Sequence, residues 1–351
     1  MEEPVRGAFA YCVQQVRQYD YLNYVWVSQA AKDLRPALFA LRAFNIETGL
    51  VAQQVRSKEP AVGQIRFQWW RDAVRAAFEE RPPAHPVALA LAHVLHSPPP
   101  ASTAGKAAAA PATQRAGADD STGCSTACGS NGAASWGGAG AVGAAAGGSS
   151  GSAARFSRYS FKRIIDVREA DFVDPQPPLD LSALEQYAEG TASQLLYLQL
   201  AAAGVKDREA DHAASHLGRA AGIATLLRGT ASHAASRRSY LPVDLCAESR
   251  VSQEDVYGGV VSEGLRDVVH KVASLAKGHL DEARRLAPRL PAGAAALMLP
   301  AVAVDRYLRD LEAANFDPWD ERLQREHGGT SGGAPLPYVL SVKWHQLRGT
   351  Y

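Results

Sequence analysis

His212 and His216 stand four residues apart on a segment with helical periodicity, a spacing that puts two imidazoles on one face and lets them share a metal ion. No glutamate follows in the H-E-x-x-H order of a zinc hydrolase, and with Glu209 and Asp211 beside them they read as ordinary polar helix positions. Cys124 and Cys128 form a C-x3-C pair in Gly/Ala/Ser-rich sequence without a second ligand pair, so no zinc site is expected there. Arg228 and Arg238 flank a short polar stretch. Their guanidinium forks can hold a phosphate without metal, or serve structurally by pairing with carboxylates and capping carbonyls. Glu47 is a single carboxylate rather than a cluster, and reads as a helix-face charge paired with Arg42 or Lys32.

The elements that must position these residues are helical. Tyr11, Val13 and Val16 begin one amphipathic stretch, Leu38, Leu41, Phe44, Ile46 and Val51 mark a second, and Ile65, Trp69, Val74 and Phe78 a third that ends at Arg81-Pro82-Pro83. Further helices are expected at about 157–170, 182–203, 207–234, 262–287, 293–315 and 336–348, punctuated by prolines at 175, 177, 178, 242, 288, 291 and 318. Strand-length alternation of β-branched residues is not seen, which predicts an all-α fold. Between Ser97 and Ala154 the composition collapses to Ala, Gly, Ser, Thr and Pro. Such sequence cannot bury enough apolar area to offset its ordering entropy, so 97–154 is expected to be a disordered insertion within one domain formed by 1–96 and 155–351.

Composition narrows the function classes. With 37 Lys+Arg against 36 Asp+Glu the net charge is +1, which gives no electrostatic reason to expect a nucleic-acid partner. Four scattered cysteines point to a reducing compartment rather than a disulfide framework. No apolar run reaches membrane-spanning length. The start, Met1-Glu2-Glu3-Pro4, shows no signal or transit peptide, so either import does not use one or the chain begins downstream of it.

Two stretches carry a resemblance. Leu217 to Arg228, followed by Arg238-Ser239-Tyr240-Leu241-Pro242, is similar to a segment of the squalene/phytoene synthase family, where D-x-x-E-D follows the helix's Leu-Arg and a loop ends in R-x-Y-L-P. The three acidic positions fall on Gly229, Ser232 and His233. Arg35 with Phe39-Ala40-Leu41-Arg42-Ala43-Phe44 resembles the family's lead-in to D-D-x-x-D, whose aspartates fall on Gly49, Leu50 and Gln53. Arg66 to Asp72, His85-Pro86-Val87 and Tyr187 to Ser193 resemble further family blocks in order.

The resemblance implies a single isoprenoid-synthase-like helical bundle. Family enzymes condense prenyl diphosphates, using paired carboxylates to hold magnesium against the departing diphosphate. Neutral residues at five of the six acidic positions, with His233 better suited to softer metals, imply a non-catalytic relative that needs no cofactor. The positions left as possible phosphate or lipid-pocket residues are Arg35, Arg42, Arg228, Arg238 and Tyr240. Phe39 to Asn45, Asp211 to Gly218, Ser236-Arg237-Arg238 and Val251 to Asp255 resemble a subgroup lacking the acidic motifs. That subgroup implies a role in assembly of mitochondrial respiratory complex I, with complex I subunits or assembly intermediates as partners and peripheral association with the matrix side of the inner membrane. A lipid-like ligand in the central cavity is a further expectation. The alternative is an active magnesium-dependent prenyltransferase making a terpenoid or carotenoid precursor.

Overall fold

The computed structural model of the chain describes residues 3–55, 60–99, 153–291, 293–327 and 336–351. Most of the segment 97–154, with Cys124 and Cys128, therefore lies outside the described residues. No strand occurs among the residues described, so the fold is all-α. Among the described residues, five helices precede the segment 97–154: α1 (Glu3–Tyr19), α2 (Tyr21–Gln29), α3 (Arg35–Gln54), α4 (Pro60–Phe78) and α5 (Pro86–His96). After it come α6 (Arg158–Val173), α7 (Leu181–Ala188), a π-helical turn at Glu189–Ser193, α8 (Gln194–Ala202) and α9 (Arg208–Arg228). The remainder is α10 (Thr230–Ala235), α11 (Val243–Glu248), α12 (Gln253–Tyr257), α13 (Glu263–Leu286), α14 (Pro300–Ala313), α15 (Glu321–His327) and α16 (Leu336–Arg348).

Local chemistry sets several helix starts. The side chains of Asp180, Asp207 and Ser262 each accept a backbone N–H in the first turn of α7, α9 and α13, at 2.7, 2.9 and 3.1 Å, satisfying donors that have no intrahelical partner. Ser252 and Asp255 close a reciprocal capping box on α12.

Helices α3 and α9 form the centre. The α3 helix buries Leu38, Phe39, Ala40, Leu41, Ala43, Phe44, Ile46 and Val51, packing on α1, α5, α6 and α8. The α9 helix runs along α13 and against α7, the π turn and α8. Its small residues permit the approach. A Cβ on Gly218 would stand 2.3 Å from Ser193 Cα, and one on Gly222 would stand 2.6 Å from Ala188 Cβ. Ser193 sits inside the π turn and donates its hydroxyl to the Ser215 carbonyl at 3.1 Å, so the bulged turn and the glycine face of α9 interlock.

Two expectations need correction. The single helix expected at 182–203 is divided by the π turn, and Ile65 and Trp69 of α4 do not face the core: they are 70% and 39% exposed, and Gly63, Phe67, Trp70, Ala73 and Ala77 are buried instead. The helix α2 shows no clear period because Val25, Trp26 and Val27 are buried consecutively.

Candidate functional site

A cavity of about 270 Å³ opens where α3 and α9 face each other, with α6, α7, α8 and the start of α14 completing its wall. Tyr19 and Thr225 on its lining are solvent-exposed. Its charged lining residues are Asp20, Arg42, Arg168 and Arg228. Arg42 is fully enclosed, donates to Asp20 at 3.1 Å, and lies over the Trp26 ring; burial pulls its pKa below the usual arginine value while Asp20 opposes this. Those two charges cancel.

Arg168 of α6 is the residue that sequence reasoning missed. Its guanidinium donates to the Asn45 carbonyl at 2.5 Å, to the Asn45 side-chain oxygen at 2.7 Å and to the Thr48 hydroxyl, all on α3. It lies against Gly49: a Cβ there would stand 3.6 Å from Arg168 Cζ. Burial lowers its pKa, opposed by Tyr187, Asp171 and Tyr240. All three of its hydrogen bonds go to uncharged oxygens. Gln53 is exposed and Leu50 packs on the core, so around positions 49, 50 and 53 the structure presents the Arg168 guanidinium and these three residues supply no carboxylate.

The second motif closes differently. At the end of α9 the His233 ring folds back over Gly229 and packs edge-on against Tyr240 at 4.8 Å between ring centroids. Burial, reinforced by Arg238, pushes the His233 pKa down to about 4, so the ring is neutral at physiological pH. Ser232 is exposed. Arg238 and Tyr240 both donate to Asp171 of α6, at 2.8 Å each. Arg35 donates to the Ala30 carbonyl at 2.7 Å and does not line the cavity. Of the five sequence-derived pocket positions, the cavity thus brings together Arg42 and Arg228, with Arg168 added. Arg228 makes no hydrogen bond or ion pair among the described residues.

The other candidates resolve clearly. Glu47 pairs with neither Arg42 nor Lys32: it accepts the Tyr11 hydroxyl at 2.7 Å, because Arg42 points to Asp20. His212 and His216 are joined by His279 of α13 and Glu185 of α7. His216 presents Nε2 to His212 at 3.2 Å and Nδ1 to His279 at 2.9 Å, and His279 Nε2 meets Glu185 at 2.5 Å. Two different nitrogens of His216 are engaged, so the rings form a chain rather than converge on one point. Among the described residues no group of three or more His, Cys, Asp or Glu side chains is placed so that it could hold a metal ion.

Magnesium, which the fold family implies, therefore does not fit the residues present. Magnesium is held through one or two carboxylates together with water and phosphate oxygens, whereas Gly49 faces a guanidinium and Gly229 an imidazole.

The fold is that of an isoprenoid-synthase-like helical protein, with a cavity between α3 and α9 in which arginines outnumber carboxylates. The squalene/phytoene synthase family model matches residues 16–104 and 144–327, and the chain belongs to that family. The complex I assembly factor 6 of Bos taurus is 32% identical over 92% of this chain and 79% of its own length. The protein of the same name in Rattus norvegicus is 33% identical over 90% and 78%. In fold, the squalene synthase HpnC from Alicyclobacillus acidocaldarius matches with a TM-score of 0.64 at 17% identity, over 91% of this chain and 98% of that one.

Proposed function

We propose that this chain is a non-catalytic member of the squalene/phytoene synthase family that acts in assembly of mitochondrial respiratory complex I. The observation that carries the loss of chemistry is the Arg168 guanidinium seated against Gly49, at the place where family enzymes would hold a cation. A divalent ion there would meet like charge, and diphosphate departure has no Lewis acid to assist it. The assembly role is supported by relatives named complex I assembly factor 6, which match over most of the chain. Complex I subunits or their assembly intermediates are the partners this role requires.

Peripheral association with the matrix side of the inner membrane belongs to the same proposal. No described helix is long and apolar enough to cross a membrane. The α16 helix supports surface association instead, because it turns Leu336, Leu340, Trp344 and Leu347 outward.

Disruption of the gene in its own organism tests the assembly role. Assembled complex I, measured on native gels, is expected to fall while complexes III and IV hold, and wild-type complex I in the disrupted strain removes the proposal. The catalytic half is tested separately: purified chain incubated with geranylgeranyl or farnesyl diphosphate and magnesium is expected to release no diphosphate. Turnover in that assay establishes the prenyltransferase alternative.

A further inference from the structure

Across one turn of α9, His212 and His216 present their Nε2 atoms to each other at 3.2 Å. Two imidazole nitrogens bound to one tetrahedral zinc at about 2.0–2.1 Å stand about 3.3 Å apart, so the pair already has the separation of a chelate. Such a pair shares either a proton or a cation, and the protons behind it decide which. Their order is set from Glu185 of α7. A carboxylate only accepts, so His279 of α13 donates to it from Nε2 at 2.5 Å, and a singly protonated His279 turns its Nδ1 lone pair toward His216. His216 Nδ1 lies 2.9 Å from that atom and supplies the proton of the contact. Burial, then His279 and His212, lowers the His216 pKa and holds the ring neutral, so a proton on Nδ1 leaves its Nε2 a bare lone pair. His212 is exposed, and its Nδ1 makes no hydrogen bond among the described residues; its one proton can sit there and free the second Nε2. The surrounding charges favour a cation. Glu282 of α13 acts on both rings, and its hydrogen-bonding partner is the exposed Arg285. Arg219, whose field opposes a cation at His216, is held by Glu189 at 3.0 Å.

We infer that His212 and His216 chelate a zinc-class divalent ion, with His279 and Glu185 as the relay that fixes the tautomer and orientation of His216. A hydrogen-bonded imidazole backed by a carboxylate is the usual outer support of a metal-ligating histidine. Imidazole nitrogen suits zinc and its transition-metal neighbours, whereas magnesium takes oxygen, so the site is of a different kind from the one the fold family implies. Among the described residues no third His, Cys, Asp or Glu completes the set, and water fills the remaining positions of the tetrahedron. Both ligands lie on one helix, but the relay ties the ion to α13 and α7 as well. The site uses none of the residues of the two degenerate motifs, and it can exist whether or not the chain serves complex I.

Zinc chloride is titrated by calorimetry into the full chain, free of any affinity tag and carrying Cys124→Ser and Cys128→Ser so that the C-x3-C pair contributes nothing. One saturable equivalent is expected, lost in His212→Ala and in His216→Ala and kept in His270→Ala, which removes another exposed histidine. Because His212 is exposed, His212→Ala is expected to melt at the zinc-free wild-type temperature, yet to lose the rise in melting temperature that zinc gives the wild type. That readout stands even if His216→Ala fails to fold. His279 is a positioning residue: His279→Gln is expected to weaken zinc about 10–100-fold. Nitrogen-15 spectra of the imidazoles, recorded on the zinc-free chain near neutral pH, are expected to show His216 protonated on Nδ1 in the wild type and to show the Nε2–H form gaining population in His279→Gln. Absence of saturable binding at millimolar zinc, binding that survives His212→Ala, zinc affinity unchanged in His279→Gln, or a wild-type His216 protonated on Nε2 overturns the site.

Discussion

The imidazole of His233 lies across Gly229, so close that a Cβ on the glycine would stand 2.5 Å from His233 Cε1. Gly229 has ordinary helical dihedrals, φ −80° and ψ −2°, so its lack of a side chain serves space rather than backbone freedom. A new side chain must displace the ring, and displacement forfeits its packing on Tyr240. Gly229→Asp is accordingly expected to cost about 1–3 kcal/mol, the usual range for overpacking. Urea unfolding measures it. In a His233→Ala background the same change is expected to cost under about 1 kcal/mol, because the obstruction is gone; equal costs in both backgrounds would show that the ring is not the obstacle.

The same ring makes stability pH-dependent. Burial, then the nearby Arg238, holds the folded pKa at about 4, below the ordinary histidine value of 6.5. Below pH 6.5 the unfolded chain therefore binds a proton that the folded chain does not, and stability is lost as pH falls from about 6.5 to about 4, up to about 3 kcal/mol in all. His216, whose pKa is also lowered, by burial and then by His279 and His212, contributes in the same direction. The expected observation is a difference: His233→Gln loses less stability than wild type between pH 7 and pH 4.5. Parallel curves would mean that His233 does not govern this range.

Glycines on two helices are expected to respond to alanine with opposite signs. Gly278 on α13 has nothing within 4 Å of its would-be Cβ, so Gly278→Ala gains helix propensity, about 0.5–1 kcal/mol. Gly218 on α9 would meet the Ser193 backbone at 2.3 Å, and backbone cannot rotate aside. There the propensity gain is outweighed by a packing cost of about 1–3 kcal/mol, and Gly218→Ala should lower the denaturation midpoint. A rise in midpoint for Gly218→Ala would mean that the π turn yields.

The helical frame is legible in the sequence where one face is buried: on α13 the buried Leu265, Val268, Val269, Val272, Ala273, Ala276, Leu280 and Ala283 recur with the helical period, whereas on α3 every residue from Leu38 to Phe44 is buried and the period marks no single face. The approach at Gly218 is less legible, since it depends on a π turn that no local pattern announces. Arg168 is hidden for a different reason. It stands among Asp166, Glu169 and Asp171, so its local reading is a solvated helix charge, and its partner Asn45 is 123 residues away. His279 is equally silent on α13, where only folding brings it to His216. Long-range pairings of polar side chains carry no periodic signal, whereas the neutral residues at 49, 50, 53, 229 and 232 are visible in the sequence through the family pattern. What fills the space in front of them is not.

The outer face of α16 bears on the proposed membrane association. Leu336, Leu340, Trp344 and Leu347 recur at i, i+4, i+8 and i+11 and are 76%, 67%, 54% and 74% exposed. On the opposite face Tyr338 and Val342 are buried, and the Tyr338 hydroxyl donates to the Leu22 carbonyl at 2.9 Å, which anchors the helix to α2. Residues 336–351 carry Lys343 and Arg348 and no acidic residue, and the Arg348 guanidinium lies over the Trp344 ring at 3.9 Å. An anchored helix with apolar and basic groups outward has the features of an interfacial element. Leu340→Glu with Trp344→Glu removes the apolar centre and adds charge that anionic lipid repels. The doubly substituted chain is expected to fold with stability within about 0.5 kcal/mol of wild type, since both positions are exposed. Its co-sedimentation with vesicles containing cardiolipin should fall at least fivefold. Unchanged co-sedimentation would assign membrane contact to another surface and leave the α16 face to a protein partner.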